Sequence, residues 1–177
     1  MTLAAPVTRT DHIRGSFYAP VTLLEYGDYE CGHCGIAHPI VNQVLKHFGA
    51  NLRFGFRHFP LMQAHPNAER AAEAAEFAGM HKRFWEMHDG IYLNQAMLGM
   101  PLFLSLATNL GLSKEGVVRA IADHAHADKI QQDFLGGVRS GVNGTPTFFI
   151  GNQRHDGGFE FNTLVAAIEA QLVKAVP

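Results

Sequence analysis

Val21-Thr22-Leu23-Leu24-Glu25-Tyr26-Gly27-Asp28-Tyr29-Glu30-Cys31-Gly32-His33-Cys34 is the stretch on which the fold turns. Val21 to Tyr26 are β-branched, apolar or aromatic apart from Glu25, and Pro20 marks their start, which reads as a short buried strand. Gly27 to Glu30 form the turn. From Cys31 onward, Ile36, Val41, Val44, Leu45 and Phe48 recur at helical spacing, so a helix opens at the first cysteine and ends at Gly49-Ala50-Asn51. Leu52 to Phe59 alternates apolar and polar residues and is stopped by Pro60. Strand, helix and strand in this order predict a βαβ unit with parallel strands and a right-handed crossover.

Upstream of Pro20 the chain is mixed, and it is expected to be partly irregular. Downstream the period changes. Ala68 to Phe77 is rich in alanine and glutamate, a strong helix former. Lys82 to Tyr92 continues as helix, with Phe84, Trp85 and Tyr92 assigned to packing. Pro101 suits the start of a helix running to Leu110, and Ser113 suits the cap of the next, through Ala122. Ala127 to Val138 makes a further helix. Strand pattern returns at Thr147-Phe148-Phe149-Ile150, and Gly151-Asn152 is a hairpin signal with Gln153 to His155 as the return strand. Asn162 to Val173 closes the chain as a helix. The order is βαβ, an all-helical block, then ββα, an α/β class.

Composition sets bounds on function. Hydrophobic residues make up 47% of the 177 and charged residues 17%, enough to build a core without staples. The formal net charge of -2 and the lack of a basic run argue against nucleic acid. No stretch is long and apolar enough to be a membrane span. The N-terminus lacks the basic start and apolar core of a secretory leader, so the chain is expected in the cytoplasm as written, or exported if a leader has been removed. Its 11 histidines are scattered from His12 to His155 and are expected to lie mostly on the surface.

The two cysteines are the only ones in the chain. A bridge over two intervening residues closes a very small loop and stabilises little, so a chemical role is the natural reading. A Cys-x-x-Cys beside a βαβ pattern reads as a redox motif. The sulfurs sit on one face at the helix N-terminus, where free N–H groups and the partial positive charge favour a thiolate at Cys31. Cys31 is then the exposed attacking thiolate and Cys34 the shielded resolving thiol, with Cys31-Cys34 as the redox disulfide. His33, as a cation or donor, would favour the thiolate further; its plain alternative is an exposed helix residue. Asp28 and Glu30 are read as loop charges, Glu30 opposing ionisation of Cys31. Two other roles for the pair stand beside this one: a zinc site completed by His38, and a pair without a role. The reading itself assigns no metal and no cofactor.

Taken together, Ala19-Pro20-Val21-Thr22, Glu25 to Cys34, Phe84-Trp85-Glu86-Met87-His88 and Gly141-Val142-Asn143-Gly144-Thr145-Pro146-Thr147-Phe148 resemble the DsbA-like branch of the thioredoxin superfamily. The resemblance spans nearly the whole chain. It implies a thioredoxin fold in two parts, residues 1–62 and 141–177, around a helical insertion at 63–140. It also implies thiol–disulfide exchange with protein clients, as oxidase or isomerase, and a redox-recycling partner. By the same resemblance Pro146 is cis and packs against the cysteines, the Thr145 backbone pairs with an extended client, and Glu25 is a buried acid that relays the proton of Cys34. Gly32 departs from the proline common after the first cysteine of DsbA-type proteins, and Cys-Gly-His-Cys looks like the motif of protein disulfide isomerases. Thr145 departs from the valine of DsbA, which bears on client preference. A glutathione-linked transferase or isomerase of related fold is the rival enzyme, although such relatives generally use a single Ser or Cys.

Overall fold

The computed structural model describes residues 1–175. Five strands form one mixed sheet in the order β1-β3-β2-β4-β5. The strands are β1 (His12–Gly15), β2 (Val21–Gly27), β3 (Leu52–His58), β4 (Thr147–Ile150) and β5 (Gln153–His155). β2 and β3 run parallel, with Val21 opposite Leu52 and Gly27 opposite His58; the other three pairings are antiparallel. Helix α1 (Gly32–Phe48) makes the crossover between β2 and β3. Helices α2 (Ala68–Met80), α3 (Phe84–Leu93), α4 (Met100–Asn109), α5 (Lys114–Ala122) and α6 (Ala127–Arg139) follow β3, and α7 (Phe161–Ala175) follows β5.

Every residue of β2 is buried, as a central strand covered on both faces requires. Alternation sorts its side chains. Val21 and Leu23 join the larger core with α1, α7 and helices α2 to α5. Leu24 and Tyr26 join a smaller core on the opposite face with Phe59, Val142, Phe149 and, from α6, Phe134. The apolar strip of α1 that enters the larger core is Cys34, Ala37, Val41, Val44 and Phe48, with His38 beside it.

Several local expectations change. The upstream segment contains a strand, β1, paired with β3 from His12↔Phe56 to Gly15↔Arg53. Three half-buried residues and an exposed glycine carry no alternation, and only the distant partner makes them a strand. Ile36 is 59% exposed because it falls outside the buried strip of α1. Pro39 lies inside α1, on its solvent side; the packed strip carries the helix past the hydrogen bond that proline lacks. The second and third helices are separate. The chain breaks at His81–Arg83, where Lys82 takes a left-handed φ of 60°. Ser113 does cap α5, its hydroxyl accepting from the Gly116 N–H at 3.0 Å. Among the described residues no helix is long and apolar enough to cross a membrane.

The histidines are the largest correction. Only His33, His47, His81 and His124 are exposed; His38, His58 and His88 are buried and the other four are half-buried. Scatter in sequence concealed the convergence of His12, His38, His58 and His88 from β1, α1, β3 and α3, where each finds a carboxylate, hydroxyl or aromatic neighbour.

Candidate active site

Cys31 occupies the N-cap of α1 with extended backbone (φ −71°, ψ 120°), so the helix begins at Gly32. Its N–H donates to the Asp28 carbonyl at 3.2 Å, and its carbonyl accepts from the Gly35 N–H at 3.1 Å. Both cysteines are free thiols. One helical turn separates two environments: Cys31 is 7% exposed and Cys34 0%. Cys31 is thus less open than an exposed attacker.

The two sulfurs are driven apart in acidity. The Cys31 thiol is lowered from 9.0 to about 5. The Cys34 S–H turned toward it contributes most, burial opposes, and the Thr145 hydroxyl and the main-chain N–H groups of Cys34 and His33 assist. That hydroxyl is buried and has no full hydrogen bond of its own, so its contact with Cys31 is the weaker kind. Cys34 is pushed well above its ordinary value, first by burial, then by its bond to Cys31 and the nearby charges of Glu25 and Cys31. His33 is exposed, and the group it gives to Cys31 is its main-chain amide. Gly32 faces open space, with nothing within 4 Å of where a Cβ would stand.

The loop before β4 completes the site. The Thr145–Pro146 peptide is cis. In the protonated state the Cys31 thiol donates to the Thr145 carbonyl at 3.3 Å, joining residues 114 apart in sequence. β4 can bring this loop there because it lies directly beside β2, with Tyr26 opposite Thr147.

Glu25 stands between Phe56 and Phe148 in the sheet register. Alternation places it on the face of β2 that looks toward α1. It is 3% exposed, and its Oε1 has no hydrogen-bond partner. Burial, followed by the negative charge of Cys31, raises its carboxyl from 4.5 to about 8.

Asp28 lies in the turn before Cys31, but it does not face solvent. Buried to 1% exposure, its carboxylate accepts from the Glu30 N–H (2.8 Å), the Leu61 N–H (2.8 Å) and His65 Nδ1 (2.8 Å). Glu30 in turn accepts from the Asn67 N–H and side-chain amide at 2.6 and 3.1 Å. The turn before Cys31 is therefore clamped to the segment after β3. His65 is shifted upward: burial opposes, while its bond to Asp28 and the charges of Asp28, Cys31 and Glu30 outweigh it.

Gln95, from a short 3₁₀ turn after α3, donates to the carbonyls of Tyr29 (2.9 Å) and Cys31 (2.8 Å). Gly35 leaves room for it; a Cβ there would collide with the Gln95 amide. No sequence signal marks this glutamine. Behind the cysteines, Tyr29 and His88 share a hydrogen bond of 3.0 Å, and the Tyr92 hydroxyl donates to the Asp28 carbonyl at 3.4 Å. Burial holds His88 well below its ordinary value and hence neutral. His38 meets Asn42 at 3.2 Å and Asp89 at 3.5 Å rather than the cysteines, so the Cys31, Cys34 and His38 donor set for zinc is not brought together.

Residues 7–170 match the profile of a family described as Thioredoxin. The chain belongs to the thioredoxin family. Its fold is the DsbA-like form: it superposes on oxidised BdbD from Bacillus subtilis with a TM-score of 0.87 at 21% identity, covering 95% of this chain and 96% of that one. It superposes on alpha-DsbA1 from Wolbachia pipientis with a TM-score of 0.83 at 21% identity, covering 97% and 95%. Among curated proteins, this thioredoxin-family chain is 44% identical over 158 residues to a Na(+)/H(+) antiporter NhaA 1 of Salinispora arenicola, covering 89% of the chain and 24% of the relative. It is 41% identical over 165 residues to a Na(+)/H(+) antiporter NhaA 3 of Salinispora tropica, covering 93% and 25%. The chain spans about a quarter of the length of these curated relatives.

Proposed function

We propose that this thioredoxin-family chain is a protein thiol–disulfide oxidoreductase of oxidising character, passing disulfides to client proteins through Cys31 and Cys34. The observation that carries the reading is the split between two sulfurs one turn apart: one acidic and slightly exposed, the other fully buried and strongly protonated. An acidic thiol is a good leaving group, so a disulfide that releases it is readily reduced and acts as an oxidant.

In the oxidising direction a client thiolate attacks Cys31 Sγ of the disulfide, and Cys34 leaves as a thiolate that takes up a proton. A second client thiolate then attacks the client sulfur of the mixed disulfide, releasing Cys31 as thiolate and leaving the client oxidised. In the reverse direction the Cys34 thiol must lose its proton to attack the mixed disulfide. In its ionised form Glu25, whose charge acts on Cys34, takes it. Once Cys31 is bonded to a client its negative charge is gone, and with it one of the two causes that hold the Glu25 carboxyl high. A larger fraction of the carboxyl is therefore ionised, and able to accept a proton, when Cys34 has to lose one. Thr145 N–H and C=O, beside the cis Pro146, suit pairing with an extended client segment; the carbonyl loses its Cys31 S–H partner once Cys31 is ionised or in a disulfide, which leaves it free for the client.

Equilibration with glutathione tests the direction. The expected potential lies between about −180 and −120 mV, the range of protein disulfide isomerase and DsbA. A value at or below about −270 mV, that of thioredoxin, would overturn the oxidising assignment. No exchange with a reduced client beyond glutathione alone would overturn the activity itself.

The relatives favour a further element of this reading. There a homologous unit shares one polypeptide with a protein named as a Na(+)/H(+) antiporter, which supports clients at a membrane transporter. Cys34→Ala should trap such a client as a mixed disulfide on Cys31; trapping of unrelated proteins alone would remove this element.

A further inference from the structure

Away from the cysteines, three elements converge on one carboxylate oxygen. His12 on β1 and His58 at the end of β3 each place Nε2 2.8 Å from Oε1 of Glu76 on α2. The donor atoms all lie within 4.8 Å of one another. His58 and Glu76 are buried, and His12 keeps 18% of its side chain exposed, leaving one side open. His12 is held in place by stacking on Phe84 at a centroid distance of 3.4 Å.

We propose that His12, His58 and Glu76 form a zinc site that fastens the edge strand β1 to β3 and α2. Two imidazole nitrogens and a carboxylate oxygen, with a fourth position open, are a three-ligand set that zinc accepts. Ligands at about 2.0–2.1 Å in a tetrahedron stand about 3.3 Å apart, so each 2.8 Å contact has to open by about half an ångström, within reach of small torsions on three separate elements. The surroundings favour a cation. Glu73, one turn before Glu76 on α2, is buried with Oε1 unpartnered, its Oε2 accepting from the His126 N–H at 2.9 Å. Metal replaces the two N–H donors on Glu76, and each imidazole then carries its proton on Nδ1.

A second cluster, His38, His88 and Asp89, has similar donors. It is the poorer site, because the Arg14 guanidinium lies 2.6 Å from Asp89 Oδ2 and repels a cation.

The test uses the full chain in its disulfide form, so that no thiolate can bind metal, after treatment with a chelator. Zinc is titrated calorimetrically, and cobalt serves as the spectroscopic probe. The expected result is one equivalent of zinc and the visible d–d bands of tetrahedral cobalt. His12→Gln and Glu76→Gln should each weaken binding by more than about tenfold, the least that even supporting groups around a metal contribute. Asp89→Asn should leave binding unchanged. His12→Gln lies on the half-exposed edge and decides the matter if Glu76→Gln does not fold. The proposal is overturned by absence of binding at excess metal, by binding that survives the folded variants, or by binding that Asp89→Asn removes.

Discussion

Replacing Glu25 by glutamine tests whether the acid under the cysteines is held protonated by burial. In the folded protein its carboxyl keeps a proton up to about pH 8, against 4.5 in the unfolded chain. Between those values the folded state binds one proton more than the unfolded state. Stability therefore falls as pH rises, by about 1.4 kcal/mol per unit. From 4.5 to 7 the loss reaches about 3 kcal/mol, a large share of a typical stability of about 5–15 kcal/mol. The Glu25→Gln side chain does not titrate and removes the slope. Its buried amide brings a cost of its own, but an equal one at every pH, so the slope is the diagnostic and the absolute value is not. The assay is denaturant unfolding of the disulfide form between pH 4 and 8, comparing wild type with Glu25→Gln. In that form the Cys31 charge is absent and burial acts alone, which makes about 3 kcal/mol an upper figure. The offset between the two curves near pH 4 is set by the amide's own cost, and above it the curves should shift steadily relative to each other, in favour of the variant. Parallel curves over that range would refute the placement of a buried, protonated acid here. A second readout addresses the relay: intramolecular attack by Cys34 on a Cys31 mixed disulfide should slow in the variant and lose the part of its pH dependence that Glu25 sets, and unchanged kinetics would remove the relay while leaving the burial argument intact.

The thiolate absorbance of reduced protein should titrate near pH 5, and Thr145→Val should move the midpoint upward; a midpoint near the ordinary 9.0 would contradict the site. Because this pKa is depressed, its stabilising effect on the reduced form is complete above 9.0 and lost as pH falls through about 5, leaving about 3 kcal/mol at pH 7, or about 60 mV. Reduced and oxidised proteins unfolded side by side across that window should show it as a pH-dependent gap. Asp28→Ala strands the N–H groups of Glu30 and Leu61 and frees His65, and should cost about 3 kcal/mol at an unchanged denaturant m-value. Gln95→Ala leaves the Tyr29 carbonyl without its donor and the Cys31 carbonyl with the Gly35 N–H alone; a loss of about 1–3 kcal/mol is expected, with slower exchange because the N-cap loosens, and wild-type rates would count against its positioning role.

The parts of the fold legible in the sequence were those with local causes. β2, α1 and β3 follow from a change in hydrophobic period around a turn, and the β4–β5 hairpin follows from Gly151-Asn152 between apolar and polar runs. Glu25 was conspicuous as the charge in an apolar strand. What escaped depended on partners far away in sequence. β1 is a strand only because β3 offers its edge. Asp28 looks like a turn acid until the segment after β3 supplies Leu61 and His65. Gln95 has no motif, and the burial of His38, His58 and His88 comes from three elements meeting. At His33 the residue's place between the cysteines drew attention to the imidazole, whereas the group that reaches Cys31 is the main-chain amide and the side chain is exposed.

The asymmetry of the two sulfurs has one geometric origin. Three residues of helix advance the chain by about 4.5 Å and most of a turn. Starting at the N-cap, that step takes the second cysteine off the amide-rich helix end and into the core above β2. The first sulfur receives N–H groups, and the second receives apolar walls and a buried acid. Spacing alone would not produce this difference; it requires the helix to begin at the first cysteine and the strand beneath to be fully covered. The sheet order supplies the remaining part. Since β4 is the neighbour of β2, the loop bearing Thr145 and Pro146 arrives at the same helix end whatever is inserted between β3 and β4. The helices can therefore be long and varied, and can contribute Gln95, Tyr92 and His88 from behind, without altering how the cysteine pair meets its proline loop.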